Sequence, residues 1–198
     1  MDKRCFALED INKLAKEISQ NSLVSYDDLP QYDLFLSQVI DYLNDRFEEE
    51  KYTNNIVQNY IKNEVISKPE DGKKRGYTKI HLAQLVLLSY MRPILTTEEI
   101  KKVFGLAFNE INDRSDDIIS WEKAYKIFDK IQDESFENFI NIDTFNEEKL
   151  KKFITGSNLN QEDEERILVF LVVMSLIAQA SATKKLAKKI VDEYIERK

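Results

Sequence analysis

Asn54, Asn55, Gln58, Asn59 and Lys62 share one face of a short predicted helix, at steps of one and four. Four of the five are amides, in a chain whose residues are 33% charged. A merely solvated helix face carries Glu and Lys more often. Carboxamides present a donor and an acceptor together, and can pair bidentately with adenine edges in a major groove. Farther along, Lys73, Lys74 and Arg75 follow the turn residues Asp71 and Gly72. Cations on a loop tip can hold phosphate whatever the base sequence. Between Thr53 and Lys79, six cations against three acids leave +3, so the rest of a chain of net charge -7 carries -10. The bland readings are an exposed helix poor in charge and an ordinary solvated turn. Both features in one short stretch favour nucleic-acid contact.

Other chemistries find little support. His81 is the sole histidine and lies in an apolar helix, where a packed or capping role is expected. Cys5 is the sole cysteine, which excludes an internal disulfide and a thiolate zinc site. The acidic run at 162–165 suits a helix N-terminus better than a metal, since no histidine, cysteine or calcium-loop pattern accompanies it. There is no catalytic triad, phosphate loop or dinucleotide fingerprint. No cofactor, metal or enzymatic activity is expected.

The elements that must position these residues read as all-α. Apolar content of 42% supports a core, while 4 Gly and 3 Pro are few for a β-sandwich or barrel. An amphipathic helix is expected over 8–19, followed by a connector around Pro30. A longer helix is expected over about 33–49, with Phe35, Val39, Leu43 and Phe47 on its inner face. Thr53 is placed to cap the amide-faced helix to Asn63, whose buried stripe is Ile56, Val57, Tyr60 and Ile61. Residues 65–77 read as two short extended arms around a turn. Thr78 opens an apolar, central helix that Pro93 ends. Thr96 and Glu99 stand in capping-box register for the next helix, to about Phe108.

The polar segment 109–117 suggests a boundary. The division expected is an N-terminal helix in 1–29, a DNA-contacting domain over 30–110 and a C-terminal helical domain over 111–198. In the last, helices are expected near 118–131, 134–141, 146–155, 161–181 and 184–197. Trp121 and Phe170 are expected in its core. The apolar run 167–180 reads as a helix buried on most sides and too short to span a bilayer. Leu186, Ile190, Tyr194 and Ile195 form a stripe for a homodimer or for packing on the 161–181 helix. With no signal-peptide core at the start, a cytoplasmic protein without membrane contact is expected.

The run "TNNIVQNYIKNEVISKP…GKKRGYTKIHLAQLVLLSYMRPILTTEEIKKVFG" resembles the DNA-binding domain of MerR-type regulators. It is more similar still to a bacterial family with a MerR-like fold, domain of unknown function 1836. The resemblance covers residues 30–106. It implies a winged helix-turn-helix with a small two-stranded wing, in which 53–63 reads the major groove and 68–77 grips the backbone of double-stranded DNA. It also implies that Arg75 touches phosphate and that Tyr77 packs the wing onto the core. The chain departs from the pattern at Gln58 and Asn59, where a basic and an aromatic residue are usual, and at Glu64, where glycine is common. A protein-interaction module that kept the fold without DNA binding is the alternative.

Overall fold

The computed structural model describes residues 24–47, 51–69, 76–141 and 161–196, with residues 13 and 152, and gives backbone alone at 136–141, 161, 162 and 165. The expected helices at 8–19 and 146–155, Cys5 and the loop cations Lys73, Lys74 and Arg75 lie outside the described residues. The protein is all-α: α1 (Leu36–Arg46), α2 (Asn54–Lys62), α3 (Lys79–Met91), α4 (Thr97–Phe104), α5 (Trp121–Asn141) and α6 (Gln161–Glu196). Two compact units are present. One is Val24–Asp129 with Ala187–Lys198, and the other holds Lys130–Leu186.

The first unit is built around α3, in which His81 to Ser89 are all buried. A helix this apolar on every side needs neighbours on every side. Val39 and Leu43 of α1, Val57, Tyr60 and Ile61 of α2, and Ile100 and Phe104 of α4 supply buried apolar surface around it. Aromatic rings continue the core: Phe108 stacks on Trp121 with centroids 3.5 Å apart, and Phe104 meets the Trp121 indole edge-on at 5.0 Å. Residues 109–117 connect these two rings within the unit. Tyr125, fully buried on α5, donates from its hydroxyl to the Val24 carbonyl at 2.7 Å.

Three helices differ from their expected limits. α1 is shorter than 33–49, because Leu34 is drawn into an antiparallel bridge with Tyr77. Gln38 then closes the new start by accepting from the Phe35 N–H at 3.0 Å. The expected break near 131–134 is absent and α5 is continuous. α6 likewise passes through 181–184, where Ser, Ala, Thr and Lys include no helix breaker.

The largest correction concerns 167–180, expected to be buried. Val172 is buried, but Phe170 is 55% exposed and Ile177 54%, with Val173 and Met174 also exposed. Because the helix does not stop at 181, the stretch Arg166–Glu196 is long and apolar enough to cross a membrane by length and composition. The stripe of Leu186, Ile190, Tyr194 and Ile195 is exposed too. It cannot fold back onto 161–181, being part of the same helix.

Candidate nucleic-acid interface

The amide-faced helix α2 is fixed at both ends. Before it, Asn44 of α1 closes the connecting turn. Its side-chain oxygen accepts from the Tyr52 N–H at 2.6 Å and its amide nitrogen donates to the Tyr52 carbonyl at 3.0 Å. The Tyr52 ring is buried, and its hydroxyl donates to Ser89 Oγ at 2.8 Å, which in turn donates to the Leu85 carbonyl of α3. Burial pushes the Tyr52 hydroxyl up to about 12, so it stays a donor across the working pH range. Thr53 then caps α2 by accepting from the Ile56 N–H, as its position predicts.

The C-terminal end is closed without glycine. Val65 N–H reaches the Tyr60 carbonyl at 2.9 Å and Glu64 N–H reaches Ile61 at 3.0 Å, the two bonds of a Schellman cap. Glu64 occupies the left-handed position at φ 55. That conformation costs a residue with a Cβ about 1–2 kcal/mol. An exposed ion pair to Lys101 at 3.2 Å offsets little of it.

The segment after the cap is fastened to α3. Val65 and Ile66 are buried, and Gln84 Oε1 accepts from both the Ser67 N–H and the Ser67 hydroxyl, at 3.0 and 2.9 Å. The Lys68 N–H donates to Asn112 at 2.8 Å. His81 has the capping role expected of it. Its Nδ1 accepts from the Thr78 N–H at 3.1 Å, so Nε2 carries the proton and donates to the Lys68 carbonyl at 3.1 Å. Residues 70–75 follow, outside the described set. The chain re-enters at Gly76 and Tyr77, both buried. Tyr77 pairs in both directions with the Leu34 backbone, at 2.8 and 3.2 Å. Among the described residues no strand forms, and Tyr77 bridges to Leu34 rather than to the arm at 65–69.

Asn54, Asn55, Gln58, Asn59 and Lys62 are all exposed, opposite the buried Val57, Tyr60 and Ile61. Tyr77 differs from them, since its ring is buried edge-on to His81 at 5.6 Å. Gln58 Nε2 donates to the Tyr77 hydroxyl at 3.4 Å, bringing the amide face and the end of the loop together. Asn59 accepts from Asn63 Nδ2 at 3.1 Å, extending the amide row by one residue that sequence reading left out. An (i, i+4) amide pair was the available signal.

A model of the family described as domain of unknown function 1836 matches residues 24–128. The chain belongs to the DUF1836 family. Its match covers α1 to α4 and the first part of α5, and so all the contacts just described around α2. The chain is also 28% identical over 172 residues to the uncharacterised protein YkrK of Bacillus subtilis (strain 168), covering 79% of this chain and 72% of that one. No solved structure matches it. In this DUF1836 chain the sequence-derived residues therefore stand as one exposed row on α2, one buried tyrosine and three loop cations outside the described residues.

Proposed function

We propose that this protein is a cytoplasmic, non-enzymatic DNA-binding transcriptional regulator. Its first unit is a MerR-like winged helix-turn-helix. α1 and α2 form the helix pair, α2 enters the major groove, and the loop 68–77 is the wing on the phosphate backbone. The observation that carries this reading is the exposed, nearly uncharged row of Asn54, Asn55, Gln58, Asn59 and Lys62 on a helix locked at both ends. Base readout needs polar groups held in place before the DNA arrives. The residues on either side of 70–75 are anchored, Lys68 by Asn112 and Tyr77 by Leu34, and Tyr77 reaches the row through Gln58. The Tyr77–Gln58 contact gives Tyr77 a positioning role, holding one readout amide.

The test is a salt titration of binding to a selected site and to random DNA. The Lys73→Ala/Lys74→Ala/Arg75→Ala variant should weaken both and lower the log–log salt slope by roughly one unit for each phosphate no longer held. Gln58→Ala should cost on the order of 1–3 kcal/mol on the selected site alone. Tyr77→Phe, which removes only the hydrogen bond to Gln58, should cost less. Wild-type protein that binds neither DNA at low salt would replace this reading with the protein-interaction module.

A further inference from the structure

We infer that α6 pairs with α6 of a second copy of this chain, in antiparallel orientation, through the face centred on Met174. The inference goes beyond the DNA-binding reading and stands without it. Asp163, Ile167, Phe170, Met174, Ile177 and Lys184 recur at alternating steps of four and three, with Ser181 completing the series. That spacing keeps one stripe of a helix turned toward a partner helix. Phe170, Met174 and Ile177 on this stripe are exposed, whereas Val172, on the opposite side of the helix, is buried. Among the described residues the stripe is therefore the exposed side of a helix that buries Val172 on its other side.

Charge selects the occupant. Asp163 lies eleven residues before Met174 and Lys184 ten residues after it. Both ends thus lie about 15 Å from the middle of the apolar stretch. An antiparallel second copy brings the acidic run at 162–165 within about a turn of Lys184 and Lys185 at both ends of the pair. A parallel copy sets like charge against like. A self-complementary patch of this kind is what a two-fold interface requires. A lipid bilayer is the competing occupant, since Arg166–Glu196 is long and apolar enough to cross one, and the vesicle arm of the test separates the two.

The full chain, of 23.3 kDa, should give twice that mass by light scattering at micromolar concentration. Phe170→Asp should return it to a monomer, with Trp121 fluorescence unchanged as the sign that the first unit is folded. Lys184→Glu/Lys185→Glu should weaken self-association roughly tenfold, since each broken pair counts twice across a two-fold axis. Adding Asp163→Lys/Glu164→Lys to that variant should restore it. In a Cys5→Ser background, a short bismaleimide should join Asp163→Cys to Lys184→Cys in a mixed sample, and join neither variant to itself. A monomeric wild type, or Asp163→Cys cross-linked only to itself, overturns the proposal. So does a protein that is monomeric in buffer but floats with phosphatidylcholine–phosphatidylglycerol vesicles.

Discussion

Two stretches of this chain look alike as sequence and differ as structure. α3 and the 167–180 part of α6 are each apolar on nearly every side. Residues 81–89 of α3 are buried without exception, while Phe170, Val173, Met174 and Ile177 of α6 face outward. The polar residues within α3 mark the difference. His81, Gln84 and Ser89 each bond to a group brought in from elsewhere: the Lys68 carbonyl, Ser67 and the Tyr52 hydroxyl. Such partners have to be met when polar groups are buried, so a polar residue matched across the chain is evidence of a filled environment. Hydrophobicity says that a helix wants burial. It does not say that the same chain provides it.

The comparison can be broken most directly by truncating one residue in each stretch. Leu85→Ala should destabilise the first unit by about 2–5 kcal/mol, because a fully buried side chain leaves a cavity. Ile177→Ala should leave that unit within about 0.5 kcal/mol of wild type. Denaturation followed by fluorescence of Trp121, the only tryptophan, isolates the first unit and reads both values. Equal losses would mean that the two apolar helices are not differently placed.

A smaller effect sharpens the point about polar partners. Gln84→Leu keeps the size of the side chain but strands the Ser67 N–H and hydroxyl, at a cost of about 1–3 kcal/mol. Since Gln84 Nε2 is itself buried without a partner among the described residues, the loss should fall toward the lower end of that range. Adding Ser67→Ala should recover part of it in the same denaturation experiment.

The smallest effect concerns the far end of α6, which belongs to the first unit. There Lys188 meets Glu99 at 2.8 Å and Lys102 meets Asp192 at 3.4 Å, beside the buried Val191. The Lys188 ammonium and the Thr96 N–H hold the Glu99 carboxyl at about 2, below the ordinary 4.5. A depressed folded-state value means that the contribution is complete above about 4.5 and fades as the pH falls toward 2. The protection of the 187–196 amides, taken relative to intrinsic exchange at each pH, should therefore fall over that window. Glu99→Gln should flatten the dependence.

Local rules made much of the first unit legible. Thr53 caps α2, and Thr96 with Glu99 caps α4, because a cap needs only residues three apart. Val57, Tyr60 and Ile61 face inward and the amides outward, because helical geometry alone assigns the two faces. His81 could be read as a capping residue from its place one turn into α3. What escaped was set by distant contacts. The Leu34–Tyr77 bridge shortens α1 across 43 residues of sequence, and no local pattern announces it. Gln58 joins Tyr77, and Gln84 joins Ser67, for the same reason.

The sequence by itself determined the all-α class, the caps at Thr53 and Thr96 and the amide row on α2, since propensity, capping and 3.6-residue periodicity act within a few residues. Tertiary structure decided which apolar helix lies at the centre of a core and which keeps a bare side. It also decided that the residues flanking 70–75 are fastened, Lys68 to Asn112 and Tyr77 to Leu34. Those outcomes rest on contacts between residues far apart in the chain, where burial depends on what arrives to cover a surface and not on how apolar that surface is.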